Sequence, residues 1–218
     1  MDIAGFLTKK VYTLGAEHFK LLIIATGDLI RLSNVGPSER RLQRGDICRV
    51  ENLSVIGGYQ AGVCRTATVQ PPPMAEEIWA HLVACKYMLL DMIKPGASCL
   101  KIFRTFIDKL SKMKLPPIGF VGHGIGLHLH EDSYIGSTLI LGRPGEDATI
   151  EAGMVLGFEP LCYETGYGFG MENMDMLVIT EDGCELISDL REHRQTERGS
   201  LTGGLTNRIE SKFPPSIL

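Results

Sequence analysis

Apolar residues recur along the chain at two different periods, and the change from one to the other divides it. Residues 2–14 suit a short helix and Leu21–Thr26 an apolar strand. Ile47–Ile56 and Tyr59–Val69 alternate as strands do and meet at Gly57-Gly58, a pair that favours a tight hairpin turn. Pro71-Pro72-Pro73 ends that pattern. From there Ile78, Leu82, Cys85, Leu89 and Met92 recur at steps of four and three, one apolar face of a helix that runs to Pro95-Gly96. Ser98 is placed as the N-cap of a second helix to about Lys112, apolar at Ile102, Phe106 and Leu110 and closed by Pro116-Pro117. Glycine then punctuates the chain. Ile118–Leu129, Met154–Glu164, Phe169–Thr180 and Glu185–Ile187 read as strands, with a tight turn at Asp182-Gly183. The class is α+β, an antiparallel sheet with helices on one face, over residues 1–189. Residues 190–218 turn polar and are expected to be a flexible tail.

Composition narrows the classes of function. The 218 residues are 44% hydrophobic and 22% charged, which suits one globular domain. A net charge of −4 leaves no electrostatic footprint for nucleic acid. No apolar run approaches the roughly 20 residues that cross a bilayer. Met1-Asp2 opens acidic, without the basic start of a signal peptide, so a cytoplasmic chain with no nucleic-acid or membrane partner is expected. The six cysteines include no C-x-x-C pair and read as buried free thiols.

Candidate chemistry clusters late in the chain. Glu159 and Glu172 flank Thr165-Gly166-Tyr167-Gly168 symmetrically, so a hairpin turning there sets the two carboxylates opposite each other. Opposed like charges are destabilising, and burial raises the cost. A metal ion, a shared proton or a cationic substrate is then needed between them, unless both face solvent. Without a cation, Glu172→Gln is expected to stabilise the fold slightly. By the same symmetry Glu51 is expected opposite Gly62 across the first hairpin. The segment Gly122-His123-Gly124-Ile125-Gly126-Leu127-His128-Leu129-His130-Glu131 holds three histidines among glycines that permit close backbone approach. Imidazole serves both as a metal ligand and as an acid or base near neutral pH. His128 and His130 share a strand face, while the glycines leave the side of His123 open.

These residues resemble a known family. Gly122–Leu127 with His130-Glu131 is similar to the G-H-G-I-G-L-x-x-H-E segment of the M24 "pita-bread" family, which includes proline dipeptidase, aminopeptidase P, methionine aminopeptidase and creatinase. Gly153–Pro160 resembles its G-M-v-f-x-i-E-P strand. Gly168-Phe169-Gly170-Met171-Glu172-Asn173, followed by Leu177–Gly183, resembles its last glutamate strand. Gly45-Asp46, Gly58-Tyr59 and Arg65-Thr66 match the framework of its first hairpin. The likeness covers residues 20–188 and is nearest the proline dipeptidase and creatinase branch. It implies a pita-bread fold with a curved antiparallel sheet, the family's opening helices being shortened.

The family's peptidases hold two metal ions with two Asp, one His and two Glu. By resemblance the His falls on His123 and the two Glu on Glu159 and Glu172. The first Asp falls on Glu51 and the bridging Asp on Gly62. Asn34 stands where a histidine precedes the first hairpin, and Gly170 where the proline-specific branch has Arg. The resemblance therefore implies one divalent ion (Mn, Co, Fe or Zn) on His123, Glu159 and Glu172, or none, as in creatinase. It implies a hydrolase of a peptide or amidine-type C–N bond in a small molecule or short peptide. His123, His130, Glu159 and Glu172 would be catalytic, with His128, Glu51 and Tyr59 around the substrate. A homodimer is compatible with this reading. The alternative is a catalytically inactive module that binds peptide, histone or RNA, as some relatives do.

Overall fold

The computed structural model describes residues 2–68, 70–138 and 146–188. The expected tail, 190–218, lies outside them. A first helix, α1 (Asp2–Thr13), leads into a three-stranded antiparallel sheet of β1 (His18–Thr26), β2 (Ile47–Ile56) and β3 (Tyr59–Thr68). The β2–β3 turn is the expected two-residue one. Ile56 pairs with Tyr59, and Gly57 and Gly58 both take positive φ, at 59° and 79°. The Glu17 carboxylate accepts both turn amides. This register sets Glu51 opposite Cys64 and Gly62 opposite Leu53. The expected Glu51–Gly62 opposition is therefore corrected by one diagonal step, because the turn centres between the two glycines and not before them.

Two helices follow, α2 (Pro73–Leu90) and α3 (Cys99–Lys112). Their apolar faces are the expected ones. Ile78, Leu82, Cys85 and Leu89, with Ile102, Phe106 and Leu110, bury into one core with Val121, Ile135, Leu156 and Leu177. Ser98 caps α3 by accepting the Lys101 amide at 2.9 Å.

The core's other wall is a five-stranded sheet that also contains β4 (Phe120–Gly124), β5 (Glu131–Gly136), β6 (Val155–Phe158), β9 (Asp175–Ile179) and β10 (Cys184–Leu186). Its order is β10-β9-β6-β4-β5. The short pair β7 (Leu161–Cys162) and β8 (Met171–Glu172) forms a separate ladder whose β8 packs against β2 and β3. The strand expected at Ile118–Leu129 stops at Gly124. The chain turns there, with Gly126 and His128 joined across the bend, and returns as β5. A Cβ at Gly124 would lie 2.4 Å from the Asp132 carbonyl, so glycine permits this close return. A second, smaller apolar cluster of Leu53, Cys64, Ile125, Met174 and Met176 joins the hairpin to the sheet. Met174 and Cys64 exchange backbone hydrogen bonds across that joint. All six cysteines are free thiols, five of them buried. No helix among the described residues is long and apolar enough to cross a membrane.

Candidate active site

Five pieces of chain meet at the joint between the two sheets. β2 contributes Arg49 and Glu51, and β3 contributes Cys64. β4 contributes His123, and the turn after β6 contributes Glu159. β7–β8 and the loop between them contribute Tyr163 and Glu172. All except Tyr163 are buried.

The backbone holds these side chains in place. The Thr66 hydroxyl accepts the Glu172 amide and donates to the Glu172 carbonyl, which fixes β8 against β3. Arg65 donates to the Met174 carbonyl and to Asp175, locking the strand that follows. The Glu159 amide donates to the Val121 carbonyl beside β4. Gly157 lies opposite His123, and a Cβ there would meet the imidazole at 3.2 Å and Met174 at 2.8 Å. Glycine at 157 thus leaves the space the imidazole fills.

His123 faces Glu159. Its Nδ1 donates to the Gly124 carbonyl at 2.7 Å, and its Nε2 lies 2.7 Å from Glu159 Oε1. Burial pulls the His123 pKa down, but the hydrogen bond and charge of Glu159 outweigh it and raise it above its ordinary value. Both ring nitrogens meet acceptors, so the imidazolium is the favoured form. The His130 ring stands 4.3 Å away, edge-on to His123. Burial and the His123 charge lower its pKa, although the residue is open to solvent.

The cation that the carboxylates require is supplied by the chain itself. Arg49 Nη1 donates to Glu172 Oε2 at 2.7 Å, with both side chains 0% exposed. Arg49 Nη2 donates to the Leu32 and Ser33 carbonyls, and the guanidinium lies over the Tyr163 ring at 4.7 Å. Glu159 and Glu172 are not directly opposed. Glu172 pairs with Leu161, which puts Glu159 one diagonal step away, and each carboxylate has its own basic partner. The expected slight stabilisation by Glu172→Gln is accordingly reversed, because that change strands Arg49. Sequence reading missed Arg49, although a signal existed: it lies two residues before Glu51 on one strand and so shares its face.

Burial and the charges of Glu172 and Glu159 push the Glu51 carboxyl up to about 9. Burial and Glu159 push Glu172 up to about 7 against the pull of Arg49. Both values exceed the ordinary 4.5, so the folded protein keeps protons that the unfolded chain releases. The sign follows: stability falls as pH rises from about 5 to 9, by about 1.4 kcal/mol per pH unit for each group inside its window. Urea unfolding of chelator-treated protein at pH 5, 7 and 9 is expected to show this decline. Glu51→Gln is expected to flatten it above pH 7.

Not every expected residue joins the cluster. His128 is 82% exposed at its side chain and sits in the β4–β5 bend, where its amide meets Glu131. Tyr59 is exposed at the hairpin end. Of the expected donors His123, Glu159 and Glu172, the first two contact each other and the third contacts Arg49. Among the described residues, the group whose donor atoms all lie within 4.8 Å of one another is Glu51, Cys64 and Glu172. Gly170, where an Arg stood in the resemblance, has the Tyr163 carbonyl 2.4 Å from its Cβ position, so no longer side chain fits.

The sequence matches the model of metallopeptidase family M24 over residues 1–181. The chain belongs to that family. Among its relatives are a probable dipeptidase PepE of Mycobacterium bovis, 26% identical over 192 residues, and a creatinase of Bacillus sp., 32% identical over 162. These alignments cover 86% and 69% of this chain and 49% and 38% of those proteins. The prolidase of Pyrococcus furiosus has the same pita-bread fold, with a TM-score of 0.79 at 23% identity over 88% of this chain and 56% of that one. The chain spans about half the length of curated relatives it matches.

The family's two-metal centre does not fit these residues. The bridging carboxylate's place is Gly62, whose Cβ would lie 2.4 Å from Leu53 Cγ. Arg49 takes one oxygen of Glu172, and Glu159 faces His123. Gly62→Asp, which restores a carboxylate at that position, should displace buried Leu53. Overpacking of this kind costs about 1–3 kcal/mol. Thermal denaturation with and without Mn²⁺ is expected to show a lowered Tm that the ion does not restore. A single ion is compatible, because Glu172 Oε1 is buried and faces at most the weak thiol donor of Cys64.

Proposed function

We propose that the protein hydrolyses a C–N bond in a small molecule or short peptide, an Xaa-Pro or dipeptide linkage or an amidine of the creatine type. The observation that carries this reading is the His123–Glu159 contact at 2.7 Å with His130 beside it. It pairs an imidazole biased towards the proton with one biased away from it. Neighbouring groups whose environments push their pKa values apart are suited to acid and base roles. In this scheme neutral His130, open to solvent, takes a proton from the attacking water. His123 Nε2 hands its proton to the departing nitrogen, and Glu159 stabilises the imidazolium until then.

In the site the Glu51 and Glu159 carboxyl oxygens are hydrogen-bond acceptors that suit the amino terminus of a peptide or a guanidinium. Beside it, Phe120, Leu161, Tyr163 and Pro117 line an apolar hollow of about 160 Å³, suited to a small group such as a proline ring. A single divalent ion held beside Glu172 would supply Lewis-acid polarisation of the carbonyl oxygen of the group under attack. Names of the relatives support this chemistry: probable dipeptidase, Xaa-Pro dipeptidase and creatinase. Incubation with dipeptides, Xaa-Pro dipeptides and guanidino compounds, with and without Mn²⁺, Co²⁺ or Zn²⁺, tests it. Release of amine from at least one class is expected. No turnover by folded protein across the panel would remove the proposal and leave the binding-module alternative.

A further inference from the structure

We propose that Glu51, Cys64 and Glu172 form a single-ion site with sulfur among its ligands, selective for zinc over manganese or magnesium. The donor set differs from the one carried over by resemblance, which contains no cysteine and depends on His123 and Glu159. Its parts come from independent strands. Cys64 and Glu51 are directly opposed in the β2–β3 ladder, and Glu172 is held against β3 by Thr66.

Three features support it. First, one donor atom from each residue lies within 4.8 Å of the others. Zinc ligands stand about 2.0–2.3 Å from the metal, so donors around one ion are at most about 4.6 Å apart, and these three close on an ion with a shift of a few tenths of an ångström. Second, Glu172 Oε1 is fully buried and faces at most the weak S–H donor of Cys64, while Oε2 is taken by Arg49. A buried carboxylate oxygen so poorly satisfied is costly, and an ion that replaces the thiol proton binds both groups. Third, the charges close. Two carboxylates and a thiolate around a dication leave a net charge of −1, and the buried Arg49 guanidinium beside Glu172 offsets it. The thiolate decides the metal, because soft sulfur favours zinc and hard manganese or magnesium prefers oxygen. Three protein ligands also leave a fourth position open, as catalytic zinc sites do.

The test uses the full chain, stripped with chelator and reloaded. Co²⁺ is expected to bind one per protein and to give an intense near-ultraviolet sulfur-to-metal charge-transfer band. Cys64→Ser should abolish the band and weaken Zn²⁺ binding at least about tenfold, measured by competition with a chromophoric chelator. Because Cys64 is buried and its replacement can disturb folding, zinc-loaded wild type is also examined by X-ray absorption. One sulfur at about 2.3 Å is expected there. A shell of oxygen and nitrogen only, a cobalt spectrum unchanged by Cys64→Ser, or no zinc binding would each overturn the proposal. These readouts are independent of turnover. Sulfur-ligated zinc in a protein that cleaves nothing would keep this site and remove the hydrolase reading. Turnover without sulfur ligation would do the reverse.

Discussion

Arg49→Met is expected to destabilise the fold by about 3–5 kcal/mol at pH 7.5, the cost of leaving one member of a buried ion pair without its partner. Arg49 and Glu172 are both fully buried and 2.7 Å apart. The loss also frees the Leu32 and Ser33 carbonyls that the guanidinium holds. Methionine keeps most of the volume, so the change reports charge and hydrogen bonds more than a cavity. The penalty should shrink at pH 5. Glu172 already sits near 7 with Arg49 present, and without that cation its carboxyl moves higher still and is neutral at pH 5. Urea unfolding of both proteins at the two pH values checks the magnitude and its direction. A loss below 1 kcal/mol at pH 7.5 would mean that Arg49 does not hold this centre together. Glu172→Gln is expected to be destabilising too, because it strands the guanidinium.

The second large effect concerns His123. His123→Ala is expected to lower kcat/KM by about 10²–10⁴-fold, the usual contribution of a positioned acid or base. Glu159→Gln should give a smaller loss and shift the pH profile, because it lowers the His123 pKa by removing the carboxylate charge. His128→Ala should leave the rate unchanged, since that side chain points into solvent away from the cluster. Initial rates for the three variants, each confirmed as folded by circular dichroism, make the comparison.

Much of the scaffold was legible in the pattern of residues. The Gly57-Gly58 hairpin, the faces of α2 and α3 and the Ser98 cap depend on neighbours a few positions apart, and their periods reveal them. Register was less legible. A shift of one residue in a turn centre moved the partner of Glu51 from Gly62 to Cys64 and turned the Glu159–Glu172 opposition into a diagonal. The β4–β5 return escaped because alternation continues through Gly126 to His130 as though one strand ran on. Arg49 and Cys64 escaped for another reason. Their roles depend on contacts with Glu172, more than a hundred positions away, which no local pattern contains. His123, Glu159 and Glu172 were visible through family motifs, but their partners were not.

In the proposed chemistry water attacks a C–N bond while His123 supplies the leaving group with its proton. The most direct measurement is cleavage of the best substrate of the panel in ¹⁸O-labelled water, with the product carboxylate or urea analysed by mass spectrometry. Wild type is expected to place one ¹⁸O in each product molecule, and His123→Ala to form almost none of that product in the same time. An unlabelled product, or labelled product formed equally fast by both proteins, would rule this chemistry out.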